Sequence, residues 1–257
     1  MSALDLYCED TGGGGDPVLL AHAIGCDRRM WDPLLPALAP RHRVLAADAR
    51  GHGRSPLPAR PWSLGDMADD AARLLDRLGI ERAHWVGLSM GGMVGQAFAL
   101  AHPGRLGRLV LANTTSSYGP GGRVNWDNRI RMVEQGGLGA IREMVAGRYF
   151  SAEFAKGHPD VVARVMARFL ETPAQGYLGC CEAIREMEYT EALARVRAPT
   201  LVIAGELDQG TPVSMAQAIV DRVPGARLAV IAGASHLSVV EKPAEFASLV
   251  TAFLADR

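Results

Sequence analysis

The chain is nearly devoid of lysine. Only Lys156 and Lys242 occur, and arginine supplies the rest of the 27 cationic residues, set against 28 acidic ones for a net charge of −1. Without a basic excess there is no electrostatic case for nucleic acid or an anionic membrane surface as a partner. No stretch approaches 18 unbroken apolar residues, so no membrane span is expected. Met1-Ser2-Ala3-Leu4-Asp5 lacks a basic region leading into an apolar one, so no secretory leader is expected. Cysteine is scarce: Cys8, Cys26, Cys180 and Cys181 form no C-x-x-C pair. That argues against a disulfide framework or zinc site and for a reducing cytoplasm. The run Gly12-Gly13-Gly14-Gly15 lacks the Gly-Lys-Ser/Thr ending and following helix of a phosphate loop. What remains is ordinary for a globular protein, at 257 residues, 48% apolar and 21% charged, enough for a sizeable core.

Leu4–Glu9 alternates as an edge strand would. Short apolar runs at Val18–His22, Arg43–Asp48, His84–Leu88, Leu106–Leu111, Pro199–Gly205 and Arg227–Ile231 read as strands, the central ones buried on both faces. A short helix opens at Met30-Trp31. Between the next strands lies a helix with Ser63 as cap, Asp66 completing a capping box, and Trp62 placed to staple onto Met67. Its apolar stripe runs Leu64, Met67, Ala68, Ala71, Leu74, Leu75, Leu78, and Gly79 stops it. Further helices are expected at Val213–Asp221 and Pro243–Ala255. The alternation predicts an α/β fold with a doubly wound, mostly parallel sheet. From Asn113 to Val196 the pattern changes. Gly119-Pro120-Gly121-Gly122 marks a break, and helices are expected near 130–134, 138–145, 161–170 and 177–184, interrupted by Pro159 and Pro173. The expected organisation is a core of residues 1–115 and 197–257 with a helical lid, residues 116–196, inserted over the strand ends.

Residues 84–101 read as strand, abrupt turn and small-residue helix, with Gly87-Leu88-Ser89-Met90-Gly91 at the turn. This is a G-x-S-x-G match in the context that gives it meaning. A serine there takes a strained backbone, and small residues two positions to either side let the chains pass. Its hydroxyl stands at the positive end of a helix, where an oxyanion is stabilised. A serine nucleophile needs a base, and the base an orienting group. Sites in such sheets gather at the carboxyl ends of strands. His236 follows the last strand, in Gly233-Ala234-Ser235-His236. Asp208 follows the strand ending at Gly205, with Glu206 as the reserve acid. Of the other histidines, His84 lies in a strand, His102 precedes Pro103, and His52 lies in a loop that reads as structural, as does Asp48. Two N–H groups should form the oxyanion hole, those of Met90 and of Ile24 in the loop after Val18–Ala21.

The chain as a whole resembles the α/β-hydrolases, including Asp48-Ala49-Arg50-Gly51-His52-Gly53, and its Ser, Asp, His order is theirs. Within them it resembles the 3-oxoadipate enol-lactonases of aromatic catabolism. The likeness lies in Leu88–Gln96, Leu111-Ala112-Asn113-Thr114, Gly176–Ile184 with its Cys180-Cys181 pair, and Ala234–Ser238. Its oxyanion loop, His22-Ala23-Ile24-Gly25, departs from the Asn-Ser-Leu-Gly usual there. The resemblance implies cleavage of an enol-lactone to 3-oxoadipate by an acyl-enzyme route, with neither metal nor organic cofactor. Such a substrate carries a carboxylate, and the lid offers Arg123, Arg129, Arg131, Arg142 and Arg148. Trp126, Arg129 and Tyr149 are the expected pocket residues. The partner is then a small lactone or ester, with homo-oligomerisation left open. Competing readings are a broad carboxylesterase or carbon–carbon bond hydrolase, and, from a different class, a small-molecule receptor with vestigial catalysis. A dehalogenase would want an Asp where Ser89 stands.

Overall fold

The computed structural model describes residues 3–256. Met1 and Ser2, part of the stretch read for a leader, and Arg257 lie outside the described residues. One sheet holds seven strands: β1 (Cys8–Asp10), β2 (Val18–Ala21), β3 (Val44–Ala47), β4 (Ala83–Leu88), β5 (Leu106–Ala112), β6 (Thr200–Gly205) and β7 (Arg227–Ile231). Their order is β1-β3-β2-β4-β5-β6-β7. Only β1 runs antiparallel, against β3. The edge strand begins later than expected, at Cys8, because the chain before it is claimed by side chains. The Leu4 N–H donates to Asp70 and the Tyr7 N–H to Ser55, while the Leu6 carbonyl accepts from Arg77. β2, β4, β5 and β6 are almost wholly buried, as near-continuous apolar runs require of a parallel sheet covered on both faces.

Three helices precede the change of pattern: α1 (Leu35–Leu38), α2 (Leu64–Arg77) and α3 (Met90–Ala101). α2 starts at the expected capping box, with Ser63 and Asp66 satisfying each other's N–H groups. α3 is buried around nearly its whole circumference, and small residues let it lie against the sheet. A Cβ on Gly91 would fall 1.9 Å from the Ala21 carbonyl oxygen, and one on Gly95 2.5 Å from the Trp85 indole nitrogen. Beneath the strand ends, Arg50 and Asp70 form a fully buried ion pair at 2.7 Å.

Five helices lie between β5 and β6: α4 (Gly119–Gly136), α5 (Arg142–Tyr149), α6 (Ala152–Gly157), α7 (Pro159–Glu171) and α8 (Ala174–Arg185). Those at α4, α7 and α8 are longer than the sequence suggested, and the helix expected at 138–145 is a 3-10 turn at Leu138–Ile141 followed by α5. α6 was not expected, and the prolines start helices rather than interrupt them. Gly119-Pro120, expected as a break, is the first turn of α4, with Gly119 at φ +62°. Pro159 opens α7 and Pro173 caps α8. A helix's first turn has no use for the N–H that proline lacks. Apart from an isolated bridge between Ser117 and Glu188, the described residues of this insertion pair with no strand. α8 seats it on the core: a Cβ on Gly176 would fall 2.0 Å from the Gly51 carbonyl oxygen, and one on Gly179 2.3 Å from the Trp62 ring. α9 (Val213–Val220), α10 (Ser238–Glu241) and α11 (Pro243–Ala255) complete the chain. No helix among the described residues is long and apolar enough to cross a membrane.

Candidate active site

The turn from β4 to α3 forces Ser89 to φ +56°, ψ −116°, a left-handed region that costs a non-glycine residue on the order of 1–3 kcal/mol. The surroundings hold it there. The Ser89 N–H donates to the Ala112 carbonyl, the Thr114 hydroxyl to the Ser89 carbonyl, and the Trp85 indole to the Gly91 carbonyl. A Cβ on Gly87 would fall 2.2 Å from the Gly91 carbonyl oxygen, so both glycines flanking the serine are sterically required.

His236, in the loop after β7, places Nε2 2.9 Å from the Ser89 hydroxyl oxygen. Its Nδ1 lies 2.7 Å from Asp208 Oδ2. A carboxylate there only accepts, so Nδ1 carries the proton and Nε2 offers its lone pair to the serine. Asp208 is further held by the Asn113 amide at 3.0 Å, the Thr211 hydroxyl at 2.7 Å, and the N–H groups of Gly210 and Thr211. Burial pushes this carboxyl up, but the charge and hydrogen bond of His236, with those of Asn113 and Thr211, outweigh it and hold it at about 2. The acid is therefore ionised across the working range. Glu206, the reserve acid, is turned away and accepts the Gly233 N–H instead.

The N–H groups of Ile24 and Met90 find no partner among the described residues, Met90 because it is the first residue of α3. Two buried histidines shape the Ile24 loop. His22 Nε2 accepts from the Ala49 N–H and His52 Nε2 from the Gly25 N–H, each ring donating its single Nδ1 proton to a nearby carbonyl. Burial holds both below the usual imidazole range, His52 at about 3, so both stay neutral.

Tyr149, at the end of α5, donates its hydroxyl to the Ile24 carbonyl and lays its ring parallel to that of His236, centroids 6.0 Å apart. Its polar end is thus committed to the loop, leaving the ring as the part open to other contacts. Trp126 and Arg129 come together, the guanidinium 4.6 Å from the indole centroid. Both line a cavity of about 470 Å³ that Tyr118, Arg148, Gln209 and Gly210 also face. Of its lining, Gly210 comes near the relay, a Cβ there standing 3.7 Å from His236 Nδ1 on the Asp208 side of the ring, while Ser89, His236 and Tyr149 are not among the residues that line it. Ser89, Asp208 and His236 themselves are only 4%, 3% and 7% exposed.

Three positioning residues escaped the sequence reading. Asn113, at φ +45° beyond β5, ties Asp208, the Ser235 carbonyl and the Ser238 hydroxyl together. Thr211 bonds the Asp208 carboxylate. Glu241, buried in α10, accepts the N–H groups of Ser235 at 2.8 Å and Ser151 at 2.6 Å. Only Asn113 left a sequence signal, as an asparagine at a strand's end, where that residue tolerates positive φ. Among the described residues no three His, Cys, Asp or Glu side chains are grouped to hold a metal. Burial pushes the Cys180 and Cys181 thiols up, Cys180 to about 12, so neither is a ready nucleophile.

Comparison with known proteins gives a consistent picture. The family model for the alpha/beta hydrolase fold matches residues 16–243. The 3-oxoadipate enol-lactonase 2 of Acinetobacter baylyi is 32% identical, over 92% of this chain and 88% of its own. A protein of Caulobacter sp. (strain K31), provisionally named carbamate hydrolase RutD, is also 32% identical, over 97% of this chain and 96% of its own. The crystal structure of the enol-lactonase from Burkholderia xenovorans LB400 superposes with a TM-score of 0.93 at 32% identity, covering 99% of each chain.

Proposed function

The chain belongs to the α/β-hydrolase family, and on that footing we propose that it is a serine hydrolase that opens an enol-lactone or related ester, 3-oxoadipate enol-lactone being the favoured substrate. The observation that carries this reading is the relay of Ser89, His236 and Asp208 at 2.9 and 2.7 Å, set on a strained turn.

Ser89 attacks the carbonyl as His236 Nε2 takes its proton. Asp208 orients the imidazole and stabilises its cation. The tetrahedral oxyanion is met by the N–H groups of Ile24 and Met90, each such donor worth about 3–4 kcal/mol to the transition state. His236 returns the proton to the departing enolate, which leaves readily because it collapses to a ketone. Water activated by the same imidazole then frees the acyl chain. Residues 116–196 act as a helical cap on a core of 1–115 and 197–257, and Trp126, Arg129 and the ring of Tyr149 shape the pocket beneath it. Arg129 supplies positive charge for a substrate carboxylate.

A second reading, carbamate hydrolysis with Ser89 again the nucleophile, is favoured by the RutD likeness. Steady-state kinetics on purified protein separates the two. The enol-lactone should give the highest kcat/KM among lactones, p-nitrophenyl esters and carbamates, and a carbamate or simple ester ahead of it would overturn the lactonase assignment.

A further inference from the structure

The two peptide planes that meet at Ile24 are held in different ways. Between Ile24 and Gly25 both polar ends are taken: the carbonyl accepts the Tyr149 hydroxyl, and the N–H donates to His52 Nε2 at 3.1 Å. Between Ala23 and Ile24 only one end is taken. The Ala23 carbonyl accepts from His22 Nδ1 at 2.8 Å and from the Cys26 N–H at 3.1 Å. The Ile24 N–H has no partner among the described residues. A peptide unit is planar and trans, so its N–H points opposite to its carbonyl. Fixing the Ala23 oxygen therefore fixes the direction of the Ile24 N–H.

The position of the His22 proton is determined too. Nε2 lies 2.9 Å from the Ala49 N–H, a group that only donates. That nitrogen offers its lone pair, so the neutral ring carries its proton on Nδ1. The ring is buried, which keeps bulk water from either nitrogen.

We propose that His22, through this Nδ1 proton, aims the Ile24 N–H at the carbonyl oxygen of a substrate under attack by Ser89, and so acts as a positioning residue for the oxyanion hole. The proposal deepens the hydrolase reading and rests on it for any effect on rate. A donor serves an oxyanion only if it already points where charge develops, because turning it during the reaction would cost what the contact returns. The Cys26 N–H belongs to the same loop and moves with it. His22 is anchored through Ala49 to the chain beyond β3, and so refers the plane to the sheet. Tyr149 fixes the plane that follows, and His22 the plane that carries the N–H itself.

Asparagine and glutamine separate the two ring nitrogens. At position 22 an asparagine amide presents an N–H near where Nδ1 stands and has nothing at Nε2. A glutamine reaches the Nε2 position and leaves that of Nδ1 empty. His22→Gln should lower kcat on a p-nitrophenyl ester by about 10- to 100-fold, short of the loss of a whole donor, with KM little changed, and His22→Asn should lose at least about tenfold less. Thermal stability should run the other way, lower in His22→Asn, where the Ala49 N–H loses its acceptor. A merely structural role would move kcat and the thermal midpoint together. A kcat that follows the midpoint, or is equal in the two variants, overturns the proposal while leaving the hydrolase intact. A second readout needs no turnover. A long-range 1H–15N spectrum at pH 7, with the His22 signals identified by their absence from His22→Asn, should show a neutral ring protonated at Nδ1. That pattern supports the placement even should no ester be hydrolysed. A ring protonated at Nε2, or at both nitrogens, contradicts it.

Discussion

The hydroxyl of Tyr149 donates to the carbonyl of Ile24, joining the end of α5 to the loop that carries the proposed oxyanion donor. The same ring lies parallel to the His236 imidazole. One side chain thus positions both an N–H and the base. Tyr149→Phe keeps the ring and removes the tether. The expected result is a fall in kcat of about tenfold with KM little changed, because an imprecisely placed donor weakens the transition state more than the ground state. Steady-state kinetics with thermal melts checks this. An unchanged kcat, or a kcat loss matched by wholesale loss of fold, would contradict it.

Glu241 fastens the same corner from below. Its two carboxylate oxygens take the Ser235 and Ser151 N–H groups, one just before the base and the other just after α5. Glu241→Gln sets an NH2 group against one of these donors. Leaving a buried N–H unsatisfied costs about 1–3 kcal/mol, and the His236 loop loosens with it. The urea midpoint should fall accordingly and kcat should fall with it. Full activity at a normal midpoint would show that the contact positions nothing.

The buried histidines predict acid sensitivity. The folded protein holds His52 at about 3, burial being the main cause and the His22 ring the next, against an unperturbed 6.5. Between those values the unfolded chain binds more protons, so the stability His52 contributes is complete above about pH 6.5 and drains away as pH falls. His22 acts in the same direction. The depressed Asp208 contributes its own loss only lower, from about pH 4 toward 2. The denaturant midpoint should therefore decline from pH 7 to pH 4.5, and decline less steeply in His52→Gln. A flat wild-type profile, or parallel profiles, would contradict this account.

The parts of this site legible in the sequence are those whose cause is local. Gly87 and Gly91 flank Ser89 because the turn itself demands them, Ser63 and Asp66 cap each other three residues apart, and the apolar runs mark the strands. Asp208 and His236 were reachable because strand ends share one edge. Asn113 and Glu241 were not, because their role exists only once distant segments meet: Asn113 reaches Asp208 across 95 positions and Glu241 reaches Ser151 across 90, whereas Thr211, three residues from Asp208, was missed because a threonine in a loop has no distinctive pattern. Gly119-Pro120, Pro159 and Pro173 misled for a related reason. Proline and glycine punctuate a helix at its start as well as its end, and neighbouring residues alone do not say which.

The most direct test of the central claim is labelling with a fluorophosphonate probe, followed by mass spectrometry of the adduct. An activated Ser89 should take one probe per chain on the peptide containing it, with labelling abolished in Ser89→Ala and reduced about 1000-fold or more in rate in His236→Ala, in line with the losses seen when a triad base is removed. A wild-type chain that stays unlabelled, or an adduct on any other residue, would contradict it.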